Sequence, residues 1–300
     1  MKQEDKSKIT LILAMTIWGT IGIFRKYIPL SSGIIAFVRG CIGTIFLILA
    51  VLISRKKISF AAIKKNLILL IFSGALIAIN WILLFEAYKY TSVATATICY
   101  YMEPVFVMLA SPLFLGEKLS AKKVVCIIAS LGGMILVSGV TGMTEISFGE
   151  IRGVLLGLGA AVIYASVVLI NKKIKDINAY DKTIMQLGTA TVTVIPYVVL
   201  TENIVIVKLE FVGIIMLVLM GILHTGVAYA LYFGSMGNVK AQTIALFSYI
   251  DPVVAIILSA VILREKIGTA EICGAVLVLG ATLVSEMPLF EKRQNKKSGR

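Results

Sequence analysis

The chain has 300 residues, of which 59% are hydrophobic and 15% charged, with a mean hydropathy of +0.97 and a formal net charge of +13. Soluble domains carry about 25% charged residues, so this composition excludes an ordinary soluble globular domain. Repeated apolar runs near the ~20-residue spanning length make the chain an all-α polytopic membrane protein, and its positive charge is a membrane-orientation signal rather than a nucleic-acid footprint.

Taken in order, ten transmembrane helices are predicted near 9–27, 32–53, 66–88, 92–115, 122–140, 151–171, 181–200, 210–233, 239–263 and 270–287. The first run, Ile9–Phe24, closes at Arg25-Lys26 with no small-residue cleavage site, and further spans follow, so it reads as a span and not a signal peptide. Only Lys89-Tyr90-Thr91 separates the third and fourth helices, and only Gly234–Asn238 the eighth and ninth. Each pair must be an antiparallel hairpin. With the N-terminus inside, the inner connections hold most of the 29 Lys and Arg residues, which places both termini in the cytoplasm. The tail 291–300 is basic and suited to anionic lipid head groups. Cys41, Cys99, Cys126 and Cys273 all fall in apolar runs without a CxxC pair. They are expected to be small buried hydrophobes, with no metal, cofactor or disulfide role.

The chain matches itself at an offset of 148: Phe85 meets Phe233, Thr95 meets Thr243, Tyr101 meets Tyr249, and Pro104 meets Pro252. Glu117-Lys118 likewise meets Glu265-Lys266, and Leu131-Gly132 meets Leu279-Gly280. Five helices per half is an odd number, so the second half must lie inverted in the membrane. The expected organisation is a first five-helix repeat over 1–145, an inverted one over 146–290, and the tail. Inverted repeats are a common transporter architecture with substrate handled near the midplane.

Trp18-Gly19, Arg39, and the run Tyr101-Met102-Glu103-Pro104-Val105 followed by Leu115-Gly116-Glu117-Lys118 and Leu131-Gly132-Gly133 resemble the EamA-type branch of the drug/metabolite transporter superfamily. The second half repeats the pattern as Asp251-Pro252-Val253, Leu263-Arg264-Glu265-Lys266 and Gly280. It departs from that pattern at Tyr164-Ala165, where a second Trp-Gly is expected, and at Leu187, opposite Arg39. The resemblance implies a ten-helix transporter of small metabolites, often an exporter of amino acids or related compounds.

Each copy of the recurring stretch places a carboxylate and a proline inside an apolar run. A charge at bilayer depth costs roughly 2.5–3.5 kcal/mol on insertion scales, so it faces a cavity or a partner. Proline removes a backbone hydrogen bond and kinks the helix. Glu103 and Asp251 read either as partners of a substrate ammonium or proton carriers, or as packing groups beside the kink. Arg39 is the only basic residue well inside a span. It either grips a substrate carboxylate bidentately or forms a fixed ion pair with Glu86 or Glu103. His224, the single histidine, is either a proton relay or a neutral ring bonded to a facing backbone group. Glu86, near a helix end, reads as interfacial and solvated.

Trp18, Trp81, Tyr101, Tyr164, Tyr229 and Tyr249 complete the candidate substrate-binding set, as rings walling a midplane cavity. Of these Trp18, Tyr101, Tyr164 and Tyr249 are the most central. Gly153 and Gly157 read as a close-packing pair within the fold, and Glu117-Lys118 as turn residues.

The leading reading is a secondary transporter of the cell membrane, exporting a small amphipathic or cationic metabolite by alternating access, with proton coupling open. Nutrient import or flipping of a lipid-linked sugar are the alternatives within transport. No GxxxxGK[ST] run supports ATP drive. One histidine and short loops argue against a membrane enzyme, and the lack of a pore-lining ring against a channel.

Overall fold

The computed structural model describes residues 3–91, 93–137, 148–202, 209–264 and 268–287, and every element among them is helical. The first half contains α1 (Gln3–Gly19), α2 (Ile21–Lys26), α3 (Ser32–Ile53), α4 (Phe60–Tyr90), α5 (Val93–Tyr100), α6 (Glu103–Leu115) and α7 (Ala121–Val137). The second contains α8 (Phe148–Lys173), α9 (Ala179–Thr201), α10 (Phe211–Leu219), a π-helix (Met220–Val227), α11 (Ala228–Ser235), α12 (Ala241–Phe247), α13 (Ile250–Leu263) and α14 (Thr269–Glu286). Polar caps start several of them. The Ser31, Ser59 and Asn178 side chains accept from the N–H groups of Ile34, Ala62 and Asp181, each satisfying an otherwise orphaned donor. Gly116, at φ 67°, ends α6 in the left-handed conformation, where a side chain would be strained.

Among the described residues, 8 helical segments are long and apolar enough to cross a membrane. α7 and α14 are not among the eight; they pack against each other. Large side chains such as Ile68 and Leu113 point outward at 82% and 86% exposure, as expected where the solvent is lipid. The interior is close-packed through small residues. A Cβ on Gly43 would lie 2.9 Å from Thr225 Cγ2 and 3.0 Å from Gly221 O, so α3 and the π-helix approach to backbone contact. Gly153 and Gly157 pack against Thr91 and the Ala96–Cys99 stretch of α5 in the same way.

Two predicted helices are broken rather than kinked. The rod 93–115 is interrupted at Tyr101-Met102, and the rod 241–263 at Ser248-Tyr249, within one residue of the same point at the 148-residue offset. Pro104 and Pro252 lack the N–H that would carry a helix through. The carbonyl of Tyr101 would normally accept from Val105, but Val105 N–H donates to Met102 O instead. Tyr249 Oη–H donates to that freed carbonyl at 3.0 Å. The helix break is thus closed by its own counterpart in the other half.

Contacts sort the connections into two ends. At one end, Ser59 N–H donates to Asp181 at 2.9 Å, Lys65 Nζ to Asp176 at 2.7 Å, Lys172 Nζ to Met236 O and Val239 O, and Asn238 to Ser7. Lys122 reaches Met287 O here too. This basic end therefore gathers Ser7 and Met287 with the connections 54–59, 174–178 and 236–240.

Three sequence expectations change. Cys273 is exposed, not buried, because it lies on the outward side of α14; Cys126 is buried. The span 210–233 is not uniform: the π-helix widens it, and Gly221 and Gly226 pack against Ile42 and Phe46 of α3. Glu86 is tied down, accepting from Lys89 Nζ at 2.8 Å and Tyr197 Oη–H at 2.7 Å. Glu265-Lys266 and the basic tail lie outside the described residues.

Candidate functional site

A cavity of about 830 Å³ lies between the halves. It is lined at its centre by Trp18, Arg39, Trp81, Glu103 and Asp251, and extends to the helix ends at Arg25, Ser32, Tyr88 and Val93. Arg25 and Val93 are solvent-exposed, so the cavity opens at this end, away from the basic one. The two helix breaks bring Glu103 and Asp251, first-turn residues of α6 and α13, to the same wall.

The wall is a chain of rings. Trp81 neighbours Tyr229 at 6.4 Å between centroids, Tyr229 meets Trp18 edge-on at 5.0 Å, and Trp18 meets Tyr232 at 4.9 Å. Tyr232 stacks with Tyr164, and Tyr164 continues to Tyr100 and Tyr101. The indole N–H groups are spent inside the protein. Trp81 donates to Tyr229 Oη at 3.3 Å, and Trp18 to the His224 carbonyl at 2.8 Å. What the rings offer a ligand is therefore their faces and the tyrosine hydroxyls.

Arg39 lies over the Trp81 ring, its Cζ 4.6 Å from the centroid. Stacking of this kind is worth about 2 kcal/mol or more when desolvated. The ion pair with Glu86 or Glu103, one of the two sequence readings of Arg39, is absent among the described residues: Glu86 is held by Lys89 and Tyr197. Arg39 Nε has no hydrogen-bond partner, and neither has Glu103 Oε1. Glu103 is only 4% exposed. Buried polar atoms are ordinarily paired, so a basic and an acidic side chain lining one cavity, each with a buried unpartnered atom, mark where a ligand's polar groups would fit.

Two residues of the sequence-derived set do not reach the cavity. Tyr249 is 0% exposed and packs with Met108, Leu246 and Val253, its hydroxyl on Tyr101 O. Mid-span depth placed it centrally, but its side chain points to the α6–α14 side. His224 is also fully buried. Thr20 Oγ1 is hydrogen-bonded to the imidazole Nε2 at 2.7 Å, and Nδ1 has no partner. The histidine thus bonds a side-chain hydroxyl rather than the backbone group expected. Phe24 stands edge-on to its ring at 4.7 Å. Trp18, Arg39, Trp81, Tyr101, Glu103, Tyr164, Tyr229 and Asp251 all line the cavity.

Sequence reading missed Asn80 and Arg25 as lining residues. Asn80 is an uncharged polar group mid-run, whose Nδ2 donates to Ala160 O at 2.8 Å; its depth in an apolar stretch was the available signal. Arg25 counted as a loop charge, and only the fold turns it to the mouth, where it donates to the carbonyls of Ile28 and Leu30. Among the described residues no cluster of His, Cys, Asp and Glu could hold a metal ion.

Comparison with known proteins agrees with this architecture. The model of the EamA-like transporter family matches twice, over residues 6–139 and 151–287. The uncharacterized transporter YxxF of Bacillus subtilis is 30% identical over 295 residues, covering 98% of this chain and 93% of that protein. An uncharacterized transporter of Archaeoglobus fulgidus is 27% identical over 91% of this chain and 96% of its own. The human solute carrier family 35 member G1 is 30% identical over 44% of this chain and 38% of that protein. A crystal structure with 19% sequence identity superposes with a TM-score of 0.85, covering 97% of this chain and 99% of its own, a likeness of fold. The chain belongs to the EamA-like transporter family, within the drug/metabolite transporter superfamily, and is a multi-pass membrane transporter and not an enzyme.

Proposed function

We propose that the protein is a secondary transporter of the cell membrane, exporting small organic metabolites of the amino-acid or related amphipathic or cationic kind by alternating access about the central cavity. One observation carries the reading: Arg39 and Glu103 face a single aromatic cavity, each with an unpartnered polar atom. Arg39's planar fork suits a carboxylate. Glu103, with Asp251 on the same wall, suits an ammonium or an exchangeable proton. The ring faces suit an apolar or cationic body between them.

The arrangement proposed is ten spans in two inverted five-helix repeats with both termini cytoplasmic, α7 and α14 being the shortest spans. Support comes from contacts between counterparts 148 residues apart. Trp81 bonds Tyr229, and Tyr249 bonds Tyr101; α7 lies on α14, its own counterpart. Residues touch their own repeat mates where they straddle a two-fold axis. Most of the described basic residues, and the ends near Ser7 and Met287, share one end of the bundle, which the positive-inside rule assigns to the cytoplasm.

The test begins with a thermal-stability screen of the purified protein against amino acids, amines and related metabolites, since a ligand of the folded state raises its apparent stability. Counterflow of the stabilising compound in proteoliposomes follows. Saturable counterflow supports a carrier; uncoupled, non-saturating flux would sink that reading.

A further inference from the structure

The hairpin between α11 and α12 exposes Gly237, Asn238 and Lys240 at the surface but turns its apolar residues and the start of α12 inward. Met236 is 0% and Val239 2% exposed, and Ala241 through Leu246 are all buried. The cavity lining takes no described residue from 236–247. This short segment seals the basic end while the cavity opens at the other.

The backbone groups on the inner side of this turn and at the buried start of α12 must be satisfied from elsewhere, and here the partners come from two sources. Lys172 and Lys182, on α8 and α9, donate to the carbonyls of Met236, Val239 and Phe233 at 2.6–2.9 Å. They belong to the same half as the hairpin, so these bonds can travel with it. The others cross between the halves. Glu117, just beyond α6, accepts from Ala241 N–H at 2.8 Å on one oxygen and from Gln242 N–H at 3.3 Å on the other. No side chain of the adjoining Lys240 caps this turn. The Gln242 amide donates to Ser111 Oγ at 3.1 Å and Lys118 O at 3.3 Å. Rocking of one half against the other must break this second group and can spare the first.

We propose that the 236–240 hairpin is the closure at the basic end, and that the Glu117 carboxylate bound to the Ala241 and Gln242 N–H groups is the latch that releases when the cavity opens there. The inference rests on the alternating-access reading above. Release frees a carboxylate and two amide donors at once, which is affordable only if water enters as they part. The latch therefore opens together with a water path or not at all.

The experiment uses full-length protein in proteoliposomes, with the four native cysteines replaced and one reporter at a time: Ala245→Cys beneath the latch, or Ser32→Cys on the opposite mouth. A membrane-impermeant maleimide reports access to each. Glu117→Gln is expected to raise labelling of Ala245→Cys roughly tenfold, the shift that about 1.4 kcal/mol makes in a two-state equilibrium, and to lower labelling of Ser32→Cys. Ser111→Ala, which removes one cross-half bond and keeps the charge, is expected to raise it roughly threefold, in line with a neutral hydrogen bond; it carries the test if Glu117→Gln does not fold. A rise at Ala245→Cys without loss at Ser32→Cys upholds the latch and overturns alternating access. Any result with no rise at Ala245→Cys overturns the latch, whatever happens at Ser32→Cys.

Discussion

The basic end of the bundle and the centre of its cavity are built from the same helices and treat their polar groups in opposite ways. At the basic end, long side chains are spent on backbone groups, between the halves for Glu117 on Ala241 and Gln242 and for Asn66 on Lys175 O, and within the second half for Lys182 on Phe233 O. At the centre of the cavity, Arg39 Nε and Glu103 Oε1 have no partner within the described protein. Burying an unpaired polar atom costs about 1–3 kcal/mol, so a protein keeps such atoms open where something else is to pair them. Satisfaction at the basic end reads as closure, and its lack at the cavity centre as a binding site.

That contrast can be broken from either side. The largest effect is expected at Arg39→Lys: a point charge cannot reproduce a planar fork stacked on Trp81, and apparent affinity for the stabilising metabolite should fall roughly 10–100-fold, about 1.4–2.8 kcal/mol. Affinity equal to the parent's in the thermal-shift titration would remove Arg39 from recognition. Glu103→Gln should reach the membrane normally yet change the pH dependence of counterflow, measured from pH 5.5 to 8.5; an unchanged profile would reduce Glu103 to a packing residue.

At the closed end, Lys182→Met leaves Phe233 O without its donor in a site where Lys182 is 5% exposed. A loss of about 1–3 kcal/mol in stability is expected, read as a lowered Tm, with metabolite affinity unaffected if the two regions are independent in this respect.

The smallest effect is expected at the Lys65–Asp176 pair, which is exposed at 66% and 71%. The Lys65 ammonium holds the Asp176 carboxyl below its ordinary range. A lowered carboxylate stabilises the fold above its unfolded value and loses that contribution as pH falls through the lowered one. Screening and side-chain entropy leave little of it, so Asp176→Asn should show no resolvable Tm shift at neutral pH in 0.15 M salt. A clear shift that vanishes in acid would make this pair a real part of the closed end.

The site was legible where depth in the membrane alone decides the outcome. Arg39, Glu103 and Asp251 stand out in apolar runs because a charge there needs a cavity or a partner, and all three line the cavity. Depth does not tell which way a side chain faces. Tyr249 and Tyr101 are repeat mates at the same depth, but only Tyr101 lines the cavity, and Tyr249 closes its broken turn. His224 turns away to Thr20 for the same reason. The π-helix left no period in the sequence, since one inserted residue per turn changes the direction of side chains without changing their polarity. Its trace is indirect, in Gly43, Gly221 and Gly226, which let α3 approach.

What the sequence by itself determined is the class and plan of the molecule: apolar runs near the spanning length, a basic bias in alternate connections, and Glu-Pro and Asp-Pro at one offset. These are properties of single segments in a nonpolar solvent, and they need no knowledge of neighbours. The tertiary structure alone decided which charges remain unpaired, which end is closed, and that Glu117 reaches from one half to the backbone of the other. Those outcomes depend on distances of a few ångströms between segments more than a hundred residues apart, and local pattern carries no record of them.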